Sequence, residues 1–321
     1  MIVSAVRDPY PTRDRVEGAL IRRAEPVVYS AWAQGAPLTR AQTAQFDREG
    51  YLVLTDVFSA HELDQLRAAS ERVAKVCKGK HPAQLICEPG GEQLRTLFGI
   101  HAMDGPLQRA ANNPRILDVV EFLLNDAVYI HQSRLNFKGP QYGSGFEWHS
   151  DFETWHAEDG MPGMRAISAT VLLTDEVSAD GSLKFMPKSH KTFVACPGET
   201  KHKSVQEAFC EQAVGKPPAL LLDLLEENGG IEEVVAPAGS VLLFDCNVMH
   251  GAGKNTSEFL RANLYHVYNA VSNALTAPYA AKQRRPEFVA SRRFDALRKR
   301  GANAQMLHEE STMREVHSEL T

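Results

Sequence analysis

The stretch "VYIHQSRLNFKG", residues 128–139, marks where the pattern of this sequence changes from helices to strands. Its β-branched and aromatic residues, followed by the turn pair Gly139-Pro140, predict a β-strand. Upstream, a capping box at Ser59 and an Asn113-Pro114 start predict two helices, the first preceded by a short strand over 51–55. Downstream, further strands are predicted between Gly, Pro, Asn and Asp turns, namely "RAISATVLLTDEV", "GSLKFMP", "GSVLLFD" and "RANLYHVYNA".

Helices followed by many short strands are typical of a mainly β protein, here a β-sandwich or jelly roll buttressed by N-terminal helices. One inserted helix is predicted near "PPALLLDLLEENGG". The sequence shows no internal repeat and no low-complexity linker. It therefore predicts one domain over residues 1–321, with a strand-rich core at 128–270 and an irregular or weakly helical extension at 1–45.

The composition limits the class of protein to which the chain can belong. Of its 321 residues, 43% are hydrophobic and 23% are charged, which is typical of a soluble globular protein. The net charge of −5 argues against a nucleic-acid partner, and the basic residues between 292 and 300 are predicted to be the solvated face of a helix. No secretory signal and no apolar run of roughly 20 residues is present, so we expect no membrane partner. Five scattered cysteines favour a cytoplasmic location without disulfides.

Within "FEWHSDFETWHAEDGMP", residues 146–162, the pair His149 and Asp151 suggests a metal site. In a strand, residues two apart point to the same side, so the imidazole and the carboxylate would be presented together. They are two of the three ligands in the 2-His-1-carboxylate arrangement that binds non-haem Fe(II). Because an isolated His-x-Asp pair is common by chance, the prediction depends on a distant third ligand.

The third ligand has to be a histidine from further along the chain. The candidates are His156, His190, His202, His250, His266, His308 and His317. His250 fits best because it follows the predicted strand "GSVLLFD" by a short turn and precedes small residues. Eleven residues later, on the next predicted strand, Arg261 carries a guanidinium that can bind the far carboxylate of a 2-oxo acid. Together these residues predict an iron site that binds a 2-oxo acid.

Simpler interpretations of these residues stay open. A single histidine after a strand is more often a hydrogen-bonded structural residue than a ligand. His156 and Glu158 form a rival His-x-Glu pair, but their Gly- and Pro-rich surroundings predict a loop that also contains Asp159. Along the strand at 128–139, alternating polar residues share one face, which is either a solvent face or a pocket lining. They are Gln132, Arg134, Asn136 and Lys138.

Four stretches resemble the phytanoyl-CoA dioxygenase superfamily of Fe(II)- and 2-oxoglutarate-dependent oxygenases, over most of residues 40–270. They are "FDREGYLVLTDVFSAHEL", "WHSD", "DGSLKFMPKSHK" and "HGAGKNTSEFLRANL". Within that superfamily, the run "FEWHSDFETWHAEDGMPGMRAIS" closely resembles the signature of ectoine hydroxylases. This contiguous run is far more specific than the separate motifs. The first 40 residues and the tail after residue 300 lie outside the resemblance.

The resemblance implies a double-stranded β-helix, or jelly roll, in which His149, Asp151 and His250 hold Fe(II). The residues that it implies for 2-oxoglutarate and its surroundings are Lys138, Arg261, Asn136 and Phe98. For ectoine and the rest of the pocket it implies Gln132, Trp155, Arg134, Asn263 and Ser168. Trp155 and a nearby aromatic residue such as Phe244 suit the cationic ring of ectoine, by a cation–π attraction of roughly 0.5–2 kcal/mol.

The implied reaction is hydroxylation of ectoine to 5-hydroxyectoine, in compatible-solute biosynthesis. It would consume 2-oxoglutarate and O2 and release succinate and CO2. One alternative is a related enzyme that hydroxylates another small amino acid or an acyl-CoA, although the acidic run "DFETWHAED" argues against the basic rim that an acyl-CoA needs. Another is a non-catalytic jelly-roll binding module, which an intact triad with an arginine disfavours. The oligomeric state stays open, with a homodimer as one alternative.

Overall fold

The computed structural model describes residues 8–14, 17–77, 82–88, 91–103, 105–140, 145–178, 181–200 and 215–299. The strands are β1 (Ala19–Arg22), β2 (Tyr51–Leu54), β3 (Leu85–Cys87), β4 (Leu94–Phe98), β5 (Val128–Lys138), β6 (Phe146–His149), β7 (Ala166–Leu172), β8 (Leu183–Phe185), β9 (Thr192–Ala195), β10 (Glu232–Glu233), β11 (Val241–Asp245), β12 (His250–Ala252) and β13 (Arg261–Ala270). The helices are α1 (Arg40–Glu49), α2 (Ala60–Cys77), α3 (Gly105–Ala111), α4 (Pro114–Leu124), α5 (Asp151–Thr154), which continues as a π-helical turn over Trp155–Asp159, and α6 (Ala219–Gly229).

Two antiparallel sheets build the body of the fold. Within the described residues, the larger has seven strands in the order β2-β11-β7-β13-β5-β4-β3, and the smaller has four in the order β10-β8-β12-β6. Between them Phe185 and Phe244 meet with ring centroids 5.4 Å apart, and Tyr51 stacks on Phe185 at 4.7 Å. The sheets thus enclose a packed interior, and the predicted jelly roll is confirmed.

The other face of the seven-stranded sheet packs against helices. Leu135 of β5 and Leu264 of β13 share a hydrophobic core with Leu66 of α2 and Leu117 of α4. All four side chains are buried. Burial of such a side chain contributes roughly 1.5–3 kcal/mol. The N-terminal helices therefore buttress the sheet, as predicted.

The predicted helix starts are confirmed. Ser59 donates its backbone N–H to Glu62 at 2.8 Å, and its Oγ accepts the backbone N–H of Glu62 at 3.3 Å, which completes a capping box before α2. At α4 the Oδ1 of Asn113 accepts the backbone N–H of Arg115 at 2.9 Å, and Pro114 occupies the first turn. The inserted helix is α6, which starts directly after two prolines.

Two expectations about local structure are wrong. Residues 19–22, expected to be irregular or weakly helical, form β1 and pair with β9 in a separate two-stranded sheet. The described part of the basic run, residues 292–299, is not a helix but a segment without regular secondary structure beside β5, where the backbone N–H of Leu297 donates to the carbonyl oxygen of Val128 at 2.8 Å. In both cases the partner strand is distant in sequence, so local patterns carry no sign of the pairing.

Other general expectations meet the structure only in part. No helix within the described ranges is long and apolar enough to cross a membrane. The thiols of the buried Cys196 and Cys246 are free, whereas Cys210 lies outside the described residues. The assignment of residues 1–321 to one domain, with an extension over 1–45 and a core over 128–270, stays a prediction.

Candidate metal centre and active site

Three predicted metal ligands come together at the β6–β12 pair of the smaller sheet. His149 is the last residue of β6, His250 is the first of β12, and the two are direct partners in the antiparallel register. Asp151 stands at the first position of α5. The ligand atoms of the three residues all lie within 4.8 Å of one another. Among the described His, Cys, Asp and Glu residues, they form the one group of three or more close enough to hold a metal ion.

Asp151 reaches this position by a different route from the predicted one. We expected His149 and Asp151 to share one strand face, which is wrong because β6 ends at His149 and Ser150 turns the chain into α5. Ser150 Oγ lies 2.9 Å from Asn247 Oδ1, a hydrogen bond that ties this turn to the loop before β12. The site is compact nonetheless. Asp151 Oδ1 is 3.6 Å from His149 Nε2, and its Oδ2 is 3.9 Å from His250 Nε2.

Backbone carbonyls fix how the two histidines present their nitrogens. His149 Nδ1 lies 2.9 Å from the carbonyl oxygen of Glu147, and His250 Nδ1 lies 3.0 Å from that of Val248. A carbonyl only accepts hydrogen bonds, so each Nδ1 donates to it and each Nε2 faces the Asp151 carboxylate. The donor set is therefore two imidazoles and one carboxylate, which suits non-haem Fe(II).

The protonation states near neutral pH also suit metal binding. Burial, together with the nearby charge of His149, lowers the pKa of His250 to about 4. Burial alone would raise the pKa of the Asp151 carboxyl, but its contacts with His149 and His250 lower that pKa well below its usual range. At pH 7 His250 is thus neutral and Asp151 ionised, and these are the forms that bind a metal.

A cavity beside the two histidines lies between the strands of both sheets. Besides His149 and His250, its lining residues are Glu88, Arg95, Thr96, Arg134, Asn136, Phe137, Lys138, Phe146, Leu183, Gly251, Ala252, Arg261, Asn263 and Tyr265. Four of these side chains are lysine or arginine, against one carboxylate. The cavity is therefore suited to an anionic ligand next to the metal ligands.

Lys138 and Arg261 lie side by side in this cavity, because they are direct partners in the β5–β13 register. Arg261 Nε donates to Glu176 Oε1 at 2.5 Å, and Asn263 Nδ2 donates to the same oxygen at 2.5 Å. Lys138 Nζ donates to two backbone carbonyl oxygens at 2.9 and 2.6 Å. Both cations are thus oriented by the protein itself.

Several polar atoms on the inward faces of β5, β7 and β13 are buried without a hydrogen-bond partner among the described residues. They are Arg134 Nε, Asn136 Oδ1, Ser168 Oγ, Thr170 Oγ1 and Asn263 Oδ1. Each unsatisfied buried polar group costs roughly 1–3 kcal/mol, and native proteins contain few of them. Their concentration beside the cationic cavity indicates that a polar ligand completes their hydrogen bonds. A five-carbon dicarboxylate such as 2-oxoglutarate meets that need.

Comparison with known proteins assigns this architecture to a family. Residues 46–263 match the family model described as phytanoyl-CoA dioxygenase (PhyH). The chain belongs to the phytanoyl-CoA dioxygenase family. The ectoine dioxygenase of Sphingopyxis alaskensis is 43% identical over 287 residues, which are 89% of this chain and 94% of that protein. The ectoine dioxygenase of Halomonas elongata is 41% identical over 286 residues, 88% of this chain and 86% of that protein.

Solved structures similar to this phytanoyl-CoA dioxygenase family member include two of EctD from S. alaskensis. The one with bound Fe has a TM-score of 0.83 and 42% identity, covering 92% of this chain and 98% of that chain. The one with 2-oxoglutarate and 5-hydroxyectoine has the same TM-score and identity, covering 91% and 97%. A more distant structure, the carbocyclase SnoK, is 17% identical with a TM-score of 0.58 and demonstrates the shared fold alone.

In this member of the phytanoyl-CoA dioxygenase family, the polar row of β5 points inward. Arg134, Asn136 and Lys138 line the cavity, and Gln132 is buried. The solvent-face alternative for this row is therefore wrong. In a jelly roll the second face of a strand points into the closed interior, where a polar row can meet a ligand instead of water.

Like Ser168, four other residues predicted for the pocket are buried but are not among those that line the described cavity. They are Phe98, Gln132, Trp155 and Phe244. The ring of Phe244 lies 5.0 Å from that of His250, next to the metal ligands. Gln132 Nε2 donates to the carbonyl oxygen of Val289 at 2.7 Å. The ligand-binding roles of all four residues stay predictions.

Among the residues at or beside the cavity that sequence reasoning missed are Tyr265 and Glu176. Tyr265 lines the cavity, and the guanidinium carbon of Arg134 lies 4.7 Å from the centroid of the Tyr265 ring. The alternation of Tyr265 with Asn263 along β13 is a signal that could have found it. Glu176 follows β7 and is held near the cavity by an isolated bridge to a segment far along the chain. No local pattern points to Glu176.

Glu158 and Asp159, which the sequence placed in a loop, lie in the helical turn Trp155–Asp159. Glu153 lies just before that turn. Glu153 is paired with Arg13 at 2.7 Å, and Asp159 is paired with Arg285 at 2.5 Å. Both carboxylates are buried. These ion pairs connect the helix that carries Asp151 to both ends of the described chain.

His156, the rival metal ligand, is buried in the same turn and not in a loop. Its Nε2 lies 3.0 Å from Asp8 Oδ1, and its ring stacks on that of Tyr279 at 3.9 Å. His156 is therefore occupied by structural contacts and is not part of the metal-ligand group.

Proposed function

We propose that this protein is an Fe(II)- and 2-oxoglutarate-dependent hydroxylase that converts ectoine into 5-hydroxyectoine. The observation that carries the proposal is the group of His149, Asp151 and His250, two of which line a cavity rich in cations. Relatives that are 43% and 41% identical over 89% and 92% of the chain are ectoine dioxygenases. A similar structure contains both 2-oxoglutarate and 5-hydroxyectoine.

His149, Asp151 and His250 would hold the iron through two Nε2 atoms and a carboxylate oxygen. Bound Fe(II) would supply the redox chemistry of O2 activation and carbon hydroxylation, in which 2-oxoglutarate becomes succinate and CO2. The contribution of the protein is to keep the imidazole of His250 neutral and the carboxylate of Asp151 ionised in advance. Three ligands on one side leave positions for the co-substrate and O2.

Arg261 and Lys138 are proposed to bind the far carboxylate of 2-oxoglutarate. A guanidinium can make two parallel hydrogen bonds to a carboxylate, and an ammonium adds a compact charge. Glu176 holds Arg261 in place and offsets part of its charge. Asn136, whose buried Oδ1 needs a donor, and Phe98 complete the proposed surroundings of the co-substrate.

Ectoine has a cationic amidinium-type ring and a carboxylate, so it requires an aromatic wall and a polar or cationic partner. Trp155 is proposed as the wall, with a cation–π contribution of roughly 0.5–2 kcal/mol. Gln132 and Asn263 offer amide groups, and Arg134 offers a charge for the carboxylate. Phe244, which packs on the ring of His250, is proposed as a second aromatic contact next to the iron.

The similarity to ectoine dioxygenases favours ectoine over an acyl-CoA, but the argument from the acidic run fails. That argument required the acidic residues of "DFETWHAED" to surround the entrance. Glu153 and Asp159 are instead buried in ion pairs with arginines. Discrimination between the two substrates therefore depends on experiment.

Two further features belong to the proposal. Free thiols at the buried Cys196 and Cys246 suit a reducing compartment, in keeping with the cytoplasmic location expected from the sequence. A homodimer stays an expectation. Light scattering on the purified protein measures the number of subunits directly.

The decisive experiment loads the protein anaerobically with Fe(II) and 2-oxoglutarate and then adds O2 with ectoine. We expect a product heavier than ectoine by one oxygen atom, identified by mass spectrometry, and an equal amount of succinate. Asp151→Ala should form neither product. Parallel reactions with another small amino acid and with an acyl-CoA test the alternatives. Succinate formation that responds to one of these and not to ectoine would refute the proposed substrate.

A further inference from the structure

Strand β5 contains a bulge at His131. In the pairing with β13, Gln132 lies opposite Val267. The next pair is Ile130 opposite Tyr268, so His131 between them has no partner. Strict alternation would turn His131 away from the inward face that Gln132 occupies. A bulge breaks the alternation and re-aims a side chain at that point.

His131 contacts two residues of the helical turn behind Asp151. Its ring centroid lies 5.1 Å from that of Trp155, with an angle of 65° between the planes, an edge-on contact. Its Nε2 lies 3.3 Å from Asp159 Oδ2, and neither side chain is exposed. Edge-on contacts between aromatic rings are favourable beyond the burial of their surface. The bulge has therefore turned His131 toward the residue proposed to contact ectoine.

Arg285 holds Asp159 in its ionised form. Its Nε and Nη2 donate to the two carboxylate oxygens at 2.8 and 2.5 Å, a bidentate pair. Burial alone would raise the pKa of Asp159, but Arg285 and, after it, His131 lower that pKa below its usual range. The carboxylate that lies beside His131 is thus itself held in place by Arg285. Neither ring nitrogen of His131 has a hydrogen bond among the described residues, so the ring is held against Trp155 by its packing between the indole and this ion pair.

The segment that supplies Arg285 also holds β5 around the bulge. The backbone N–H of Ser291 donates to the carbonyl oxygen of His131 at 2.8 Å. Gln132, another residue proposed to contact ectoine, donates to the carbonyl oxygen of Val289 at 2.7 Å. His131 is therefore held through both its backbone and its ring.

We propose that His131 is a positioning residue for the substrate, because it holds the indole of Trp155 in the orientation that binds a small delocalised cation. The inference rests on the proposed function, which assigns Trp155 to ectoine. An indole turns about two side-chain bonds, and a side chain that is free in the unbound state has to be ordered on binding, which weakens the affinity. His131 removes that cost beforehand. It acts through Trp155 and does not itself touch the reacting atoms.

The test is a double-mutant cycle on His131 and Trp155. His131→Ala should weaken ectoine binding about tenfold by calorimetry. Anaerobic binding of Fe(II) with 2-oxoglutarate, followed by its visible charge-transfer absorption, should stay unchanged. In a Trp155→Ala background, the same His131→Ala change should have little further effect on ectoine binding. His131→Phe, which keeps an aromatic edge beside the indole, should recover most of the affinity.

His266→Ala is the matched control. His266 is also fully buried on the same sheet, but it belongs to the β13 face that packs on the helices. This variant should lower thermal stability and leave ectoine affinity unchanged.

Two results would overturn the inference. In one, His131→Ala lowers the affinity for ectoine equally whether Trp155 is present or replaced by alanine. In the other, His131→Ala binds ectoine as tightly as the unaltered protein does. If the unaltered protein and His266→Ala both fail to bind and hydroxylate ectoine, the proposed function itself is refuted. The two failures are therefore distinguishable.

Discussion

The two faces of the β5–β13 strand pair carry opposite kinds of side chain on one backbone. The inward face presents Asn136 and Asn263 to the cavity. The outward face presents Leu135 and Leu264 to the helices, where both are fully buried. In the antiparallel register asparagine faces asparagine and leucine faces leucine, one residue apart along each strand. Neighbouring residues of one strand thus belong to the cavity and to the core in turn.

Ligand binding and stability depend on different faces of the β5–β13 strand pair. Inward polar atoms lack hydrogen-bond partners among the described residues, so the inward face lowers stability until a ligand is bound. Outward leucines fill a close-packed core. Inward substitutions should therefore change binding more than stability, and outward substitutions should do the reverse.

The largest effect is expected at the metal ligands. Asp151→Ala should lower hydroxylation at least about a thousandfold, because two imidazoles alone hold Fe(II) poorly. The free energy of unfolding of the metal-free protein should change by less than about 1 kcal/mol. Metal analysis, product mass spectrometry and denaturant unfolding measure the three quantities. Full iron occupancy and turnover in this variant would remove Asp151 from the site.

An outward substitution should reverse that pattern. Leu264→Ala should lower the free energy of unfolding by about 2–5 kcal/mol, since it leaves a cavity in the core between the sheet and the helices. The dissociation constants of the folded protein for iron and 2-oxoglutarate should stay within about twofold. Urea unfolding and anaerobic titration measure the two effects. A selective loss of 2-oxoglutarate binding in a stable variant would contradict the division between the faces.

Arg261→Ala tests the cationic end of the inward face. It should raise the 2-oxoglutarate concentration required for half-maximal turnover by about 10- to 100-fold, the usual cost of losing a bidentate charge pair. Glu176→Gln serves as the companion variant, because it leaves Arg261 in place but removes the charge that holds it. Its effect should be smaller than that of Arg261→Ala. If Arg261→Ala leaves this concentration unchanged, Lys138 is the better anchor.

The smallest effect is a pH dependence on the outward face. Burial, with the nearby charge of His101, lowers the pKa of His266 to about 3. In the unfolded chain His266 takes up a proton near pH 6.5, whereas in the folded protein it stays neutral. The stability that this difference contributes is therefore complete above pH 6.5 and is lost as the pH falls toward 3. At pH 5 the loss should be roughly 2 kcal/mol.

His266→Phe should remove this part of the pH dependence. Denaturant unfolding at pH 7.5 and pH 5 measures the pH dependence of the stability. Because His61 is exposed, His61→Phe serves as the control variant. Equal losses of stability on acidification in the unaltered protein and in His266→Phe would show that His266 does not carry the effect.

Much of the fold could be predicted because its signals are local. The capping residues Ser59 and Asn113 satisfy the first N–H groups of their helices whatever lies around them. Alternation along 128–138 depends only on the geometry of a strand. The strand at 19–22 escaped prediction because its hydrogen bonds go to β9, more than 170 residues away in the register that pairs Ala19 with Ala195.

The candidate site also contains residues that local signals indicate and residues that only distant contacts bring together. His149 and His250 could be chosen from the sequence because residue type and position beside strands limit the possible metal ligands. Asp151 was included for a reason that the structure contradicts, since a helix and not a strand brings it to the two histidines. Glu176 was missed, because it meets Arg261 only through the closure of the jelly roll.

By itself, the sequence determined the chemistry: a His-x-Asp pair, a distant histidine, an arginine one strand later and a polar row on β5. Residue types and short-range periodicity carry that information. Only the tertiary structure decided that the polar row faces a closed interior and that a bulge turns His131 toward Trp155. Both outcomes depend on which distant strands pair and in which register, and a single strand has no means of encoding its partner.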